Sequence, residues 1–247
     1  MRRPGMTILA WTLATTPALA IVQRDDREDR QYLALGERFT AVGQVLPDGT
    51  GTLVAPRFVL TAAHVATGRG GATAVVFGDQ SYRVVRAIVH PEGRASSDDQ
   101  PPEVDLALLE LEKDAGSIEP FGLYRGRDER GRQAILVGLG DFGPAGRPLF
   151  RSDRRRRAAT NEVSDAGPLR LFLRFDAPPA GTDLEGVSGP GDSGGPALLE
   201  QDGRILVAGV SSASSGPPGR YGLTDVCTRV STYADWIGRV LAGGSGG

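Results

Sequence analysis

Short apolar runs, each bounded by turn-forming residues, recur along the chain and leave little room for anything but strands. They fall at residues 39–46, 51–55, 74–77, 82–89, 105–111, 133–139, 169–175, 197–199, 205–210 and 226–230. Runs this short, separated by glycine and proline, suit strands rather than helices. The 35 glycines and 17 prolines supply the turns, and 40% hydrophobic residues supply a core. A chain of 247 residues holds one large β domain or two small ones. The spacing predicts an all-β sandwich or barrel and does not separate the two. Residues 231–242 differ: Tyr233, Trp236, Ile237 and Val240 fall at helical spacing and predict an amphipathic closing helix, and 243–247 read as a flexible tail.

The segment Gly189-Pro190-Gly191-Asp192-Ser193-Gly194-Gly195-Pro196 places one serine among glycines, directly after an acid. Glycine reaches backbone angles that other residues reach only at a cost. Such a turn can expose the hydroxyl and aim successive N–H groups at one developing negative charge. Glycine-rich turns also serve as plain connections, so the partners decide. Gly191-x-Ser193-x-Gly195 fits the nucleophile elbow of α/β-hydrolases, which needs a histidine downstream. The only histidines, His64 and His90, both precede Ser193, which excludes the elbow. His64 closes the apolar segment 58–65 and would bring an imidazole to the end of a rigid strand. His90 precedes Pro91 at the start of a polar loop and reads as a surface residue. Asp105 stands at the mouth of the apolar run 104–111, where a carboxylate is costly to bury unless hydrogen-bonded. An imidazole Nδ1–H is such a partner. Taken singly, each histidine reads as structural rather than catalytic, and Asp105 as a solvated strand cap.

Together, His64, Asp105 and Ser193 stand in the chain order of chymotrypsin-type enzymes. Four pieces carry a wider likeness: Thr61-Ala62-Ala63-His64, Asp105-Leu106-Ala107-Leu108, Gly191-Asp192-Ser193-Gly194-Gly195-Pro196 and the ending Thr228-Arg229-Val230-Ser231-Thr232-Tyr233-Ala234-Asp235-Trp236-Ile237. On these the chain resembles the trypsin/chymotrypsin family of serine endopeptidases across nearly all of its length after residue 20. The resemblance implies two six-stranded antiparallel β-barrels with a C-terminal helix, in a domain over 21–242 that divides near 115–130. It puts His64 and Asp105 on the first barrel and Ser193 on the second. It also implies acyl transfer from a peptide, with the Gly191 and Ser193 N–H groups as the oxyanion hole. Two other readings stay open: a non-catalytic binding domain on this fold, and an esterase using the same triad. The expected partner is a protein or peptide substrate, acting on a monomer. No cofactor and no metal are expected, since no His/Cys/carboxylate cluster or phosphate loop is evident in the sequence.

Met1-Arg2-Arg3, the apolar stretch 6–13 and Ala18-Leu19-Ala20 form the charged, apolar and small-x-small regions of a secretory signal peptide over 1–20. The apolar stretch is too short to span a bilayer comfortably. A secreted or periplasmic location is therefore expected, with no membrane attachment after cleavage. Losing 1–20 removes two arginines and no acid from the formal −2, leaving −4, and no pull toward nucleic acid. Cleavage after Ala20 exposes Ile21-Val22. By resemblance, the Ile21 ammonium inserts and pairs with Asp192, holding the Gly191 and Ser193 amides in place. The competing reading leaves that ammonium in solvent. Gln23 and Arg24 stand where the family has two glycines.

Cysteine use departs furthest from the family. Cys227 is the only one and cannot form an internal bridge; it reads as a buried small hydrophobe. Val65 and Gly189 stand where the family anchors disulfides beside its histidine and serine. The resemblance places Val187 on the floor of the primary specificity pocket, Asp225 on its wall where glycine is common, and Ser211, Ser212 and Ala213 along the other wall. Ser211 is also expected to support Asp105. A carboxylate at 225 predicts Arg or Lys at P1, with small apolar P1 second. The run Arg154-Arg155-Arg156-Arg157 reads as a solvated loop rather than a polyanion site, given Asp153 beside it and an acidic mature chain. With basic P1 it is also a candidate for self-cleavage.

Overall fold

A computed structural model describes residues 21–93, 104–148, 152–215 and 219–243. The signal-peptide assignment and residues 244–247 of the tail lie outside them. The chain enters through β1 (Val22–Gln23) and α1 (Asp29–Gly36). It continues with β2 (Val42–Leu46), β3 (Thr50–Ala55), β4 (Phe58–Thr61), α2 (Ala63–Thr67), β5 (Ala74–Phe77), β6 (Gln80–Val89) and β7 (Ala107–Leu111). Strands β2–β7 close into an antiparallel barrel in the order β2-β3-β4-β7-β6-β5.

The second half supplies β8 (Gly122–Leu123), β9 (Gln133–Gly138), β10 (Gly143–Pro144), β11 (Arg157–Ala166), β12 (Arg170–Arg174), β13 (Gly186–Val187), β14 (Pro196–Gln201), β15 (Arg204–Ser215) and β16 (Thr224–Arg229), then α3 (Val230–Gly243). Six of these form a ring, β14-β9-β11-β12-β16-β15, closed by the β14–β15 pairing, and β8 adds to β15 in parallel. The fold is two six-stranded antiparallel barrels. Closure pairs the strands on both sides over most of their length, which is how antiparallel sheets limit pairing with other chains, and leaves the end of β15 beyond β14 paired on one side.

The strand pattern follows from burial. In β5, Val75 and Phe77 point inward while Ala74 and Val76 are half-buried, the alternation of a one-sided sheet. β4 is buried along its whole length and is paired with β3 on one edge and β7 on the other. β11 opens with Arg157-Ala158-Ala159-Thr160-Asn161 and lacks an apolar run, yet Arg157, Ala158, Ala159 and Asn161 are buried. Its pairing with β9 and β12, not its own hydrophobicity, makes it a strand.

Three expectations change. His90 is not a surface residue: α3 folds over it, and the Tyr233 and Trp236 rings meet its imidazole edge-on at 5.0 and 4.9 Å between centroids. Burial lowers its pKa, so it is held neutral as an apolar-facing ring. The arginine run is not wholly a solvated loop. Arg157 is 1% exposed, doubly bonded to Asp29 and Asp153, and stacked 3.3 Å from the Phe142 ring centroid. Arg156 donates to the Val42 carbonyl at 2.9 Å, and only Arg154 and Arg155 are exposed. Finally, α1 forms where no helix was expected. Glu28 and Gln31 close a capping box on it, and its Asp29 is what draws Arg157 inward.

Packing takes the place of cross-links. Val65 lies against Gly49, where an added Cβ would come within 2.5 Å of the valine Cγ1. Cys227 is fully buried in the second barrel. A buried ion pair anchors α3 to that barrel: Arg229 Nε donates to Glu129 at 2.9 Å, and the Ser231 hydroxyl donates to the same carboxylate at 3.2 Å. Glu129 is 0% exposed and Arg229 4%. Replacing Glu129 with alanine strands the guanidinium, and urea denaturation of Glu129→Ala is expected to show a loss of about 3–5 kcal/mol.

Candidate active site

β4 hands the chain directly to α2, so His64 lies in the first turn of a five-residue helix rather than at a strand end. Ala62 and Ala63 are small enough for that turn to be buried, while the imidazole itself stays 41% exposed. Asp105 comes two residues before β7 and is wholly buried. It accepts the His64 backbone N–H at 3.0 Å, pairs with His64 Nδ1 at 2.7 Å and accepts the Ser212 hydroxyl at 2.7 Å. Burial pushes the Asp105 carboxyl up, but the bonds from His64 and Ser212 outweigh it and hold it below the ordinary carboxylate value. Asp105 is therefore ionised. An ionised partner makes Nδ1 the proton-bearing nitrogen and leaves the Nε2 lone pair free.

Ser212, not Ser211, supplies the hydroxyl. A bulge in β15 between Ser211 and Ala213 shifts the side-chain alternation by one residue. Ser211 consequently turns its hydroxyl toward Asp225, and Ser212 turns toward Asp105.

The serine turn is stitched to both barrels. Thr50 N–H donates to the Ser193 carbonyl at 2.8 Å, the Thr50 hydroxyl to the Gly191 carbonyl at 2.9 Å, and Gly194 N–H to the Ser211 carbonyl at 2.8 Å. Gly194 has φ +82°, and a Cβ there would stand 2.1 Å from the Thr61 hydroxyl, so only glycine fits. Gly189, Asp192, Gly194 and Gly195 N–H groups all have protein acceptors. Among the described residues, that leaves the Gly191 and Ser193 N–H groups of this turn unengaged. Ser193, Gly191 and His64 line one cleft of about 240 Å3.

Asp192 points away from that cleft into the second barrel. It is 1% exposed and accepts the Gly140 and Gly189 N–H groups at 3.2 and 3.1 Å. Burial pushes its carboxyl well above the ordinary value, and those two amides only oppose the shift. Gly138 makes room for it, since a Cβ there would fall 1.8 Å from Oδ1. Ile21 is fully buried in the apolar cluster of the same barrel, and Val22 pairs with Val187 and Gly143.

A second cavity, about 170 Å3, flanks Ser193 on the other side and is lined by Ser188, Gly189, Pro190, residues 211–214 and Asp225. Asp225 accepts the Ser188 N–H at 3.2 Å and bonds with the Ser188 and Ser211 hydroxyls. Burial pushes its carboxyl up. Ser212 and Ala213 line this cavity as expected from the sequence, whereas Val187 does not reach it. Because β13 pairs with β1, the Val187 side chain packs with Val22, Phe175 and Leu223 instead.

The family model for trypsin matches residues 37–237. The chain belongs to the trypsin family. It is 27% identical to mouse granzyme C over 229 residues, covering 86% of each chain. It is 28% identical to the serine protease Hayan of Drosophila melanogaster over 222 residues, which is 76% of this chain but only 33% of that longer protein. The solved structure of neuropsin, a serine protease expressed in the limbic system of mouse brain, superposes with a TM-score of 0.68 at 21% identity, over 83% of this chain and 96% of the other. This trypsin-family chain thus shares with that structure its fold, two barrels and a closing helix.

One role and one residue were not evident from the sequence. Ser212 was expected on the pocket wall, but its bond to Asp105 is hidden by the bulge. Asp48, in the short β2–β3 connection, lies in the cleft with His64 and Ser193, and only the folded connection reveals it.

Proposed function

We propose that this chain is a secreted, monomeric serine endopeptidase, matured by removal of residues 1–20, that cleaves peptide bonds through Ser193, His64 and Asp105. The observation that carries the reading is the bonded set Asp105–His64, completed by Ser212, on the same cleft as Ser193 and the two unengaged amides. Ser193 Oγ attacks the scissile carbonyl as its proton passes to His64 Nε2, and ionised Asp105 stabilises the imidazolium. The Gly191 and Ser193 N–H groups hold the oxyanion. His64 then gives its proton to the leaving amine, and water, activated the same way, releases the acyl group.

An endopeptidase is favoured over an esterase by the open edge of β15. Beyond Ser211, whose N–H and carbonyl are bonded to Gly195 and Gly194, only β16 pairs with the strand, so residues 212–215 offer one free edge to an extended peptide. A positional-scanning peptide library, run with wild type and Ser193→Ala, tests the reading. Cleavage by the wild type alone supports it; equal turnover by both proteins, or none by either, refutes it.

Asp225 gives the primary pocket its charge, and we assign Arg or Lys at P1 to it. Asp225→Gly is expected to lower kcat/KM for arginine peptides by about 100-fold while small apolar P1 residues gain. Because burial raises the Asp225 pKa, its charge is lost at a higher pH than that of an ordinary carboxylate. The arginine preference should therefore strengthen as pH rises. Unchanged cleavage after arginine in Asp225→Gly would remove the assignment.

A further inference from the structure

The cleft that holds His64 and Ser193 also holds a carboxylate that the triad does not use. Asp48 sits in the connection between β2 and β3, exposed, with no hydrogen bond or ion pair to any described residue. Its Oδ1 lies 3.8 Å from the point where a Cβ on Gly191 would stand, so it overlooks the serine turn. The other residues lining that wall, Pro47, Val65 and Gly68, carry no charge.

The direction of the reaction says which part of a substrate meets this wall. The Asp48 cleft and the Asp225 cavity share only Ser193 among their lining residues, so they flank it on opposite sides. The acyl part lies beside Asp225 and the free edge of β15. His64 must hand its proton to the departing amine, so the departing chain leaves along the cleft that contains the imidazole. Asp48 faces that chain.

We propose that Asp48 is a specificity-determining residue that selects Arg or Lys at P1′ or P2′, immediately after the scissile bond. The proposal rests on the endopeptidase reading above and deepens it. A guanidinium or ammonium there forms a charge-assisted hydrogen bond with a carboxylate that has no competing protein partner. Asp48 is exposed, so water and salt screen the contact and its effect is moderate. With Asp225, the site carries a carboxylate on each side of Ser193, which suits substrates with basic residues on both sides of the cut bond.

The test uses quenched fluorescent peptides with one fixed acyl side and Arg, Lys, Gln or Glu at P1′ and P2′. The proteins are wild type, Asp48→Asn and Ser193→Ala, with thermal unfolding confirming that the variants fold. Wild type should favour Arg and Lys over Gln by about five- to tenfold in kcat/KM and disfavour Glu. That ratio should fall toward one in Asp48→Asn and in about 0.5 M salt. A flat wild-type preference, or a basic preference that survives in Asp48→Asn, overturns the proposal and leaves the endopeptidase reading standing. Turnover that Ser193→Ala matches, or no turnover at all, overturns both.

Discussion

Asp105→Asn is expected to lower kcat by about four orders of magnitude in a protein that remains folded. Three donors converge on this carboxylate: the His64 N–H, His64 Nδ1 and the Ser212 hydroxyl. An asparagine keeps the shape but replaces one acceptor oxygen with an NH2. If that group faces the ring, the proton must move from Nδ1 to Nε2, and the imidazole can no longer accept the serine proton. The backbone around residue 105 has its own support, because the Thr228 hydroxyl donates to the Asp105 carbonyl at 3.1 Å. The variant should therefore stay folded at neutral pH, with a midpoint lowered only by the loss of the Asp105 charge, which separates loss of chemistry from loss of fold. The sign of its pH dependence follows from the lowered pKa. Stabilisation by the Asp105 charge is complete above the unfolded value of about 4 and is lost as pH falls through the lower folded value. Asp105 thus stays charged throughout the neutral range. A fall of less than about tenfold in kcat would remove Asp105 from the proposed machinery.

A chain that begins at Ile21 is expected to cleave peptides about 100- to 1000-fold faster than one that keeps Ala20 or carries an acetyl group on Ile21. Asp192 supplies the reason. It is buried with two backbone N–H partners, and burial drives its carboxyl well up. With residues 1–20 attached, a raised folded pKa means the folded state binds the extra proton, so folding weakens as pH rises above about 4. We propose that a free Ile21 ammonium reverses this by pairing with the carboxylate, the pair then holding the turn that carries the Gly191 and Ser193 N–H groups. The ammonium's own pKa then rises above its ordinary value of about 8, so the activated form is kept below that raised value and lost as pH climbs through it. Asp192→Asn should reproduce the loss in a chain with the correct terminus. N-terminal sequencing of active protein decides the matter: full activity with a terminus anywhere but Ile21 sinks the idea.

Much of the strand content is legible in the sequence because the inward faces of strands such as β5 are apolar and glycine or proline ends them. β11 is not legible, because its buried face is Arg157, Ala159 and Asn161 rather than a hydrophobic series. Its place depends on two neighbouring strands and on an arginine neutralised by Asp29, 128 residues away. The closing helix is readable from its period, but what it covers is not. His90 beside Pro91 looks like a loop residue until Tyr233 and Trp236 fold over it.

The sequence alone determined the chemical inventory: one serine in a glycine turn, one upstream histidine after small residues, one acid at the mouth of an apolar run, in an order that excludes the elbow. These are covalent and local properties, set by neighbours in the chain. Tertiary structure decided the assignments that depend on which strand lies beside which. A single bulge in β15 gave the Asp105 bond to Ser212 and turned Ser211 to Asp225. Pairing of β13 with β1 withdrew Val187 from the pocket, and a short connection between β2 and β3 brought Asp48 beside Ser193. Side-chain direction alternates along a strand, so a one-residue shift in register reverses what each residue faces. That shift is fixed by strands distant in sequence, and only the closed barrels bring them together.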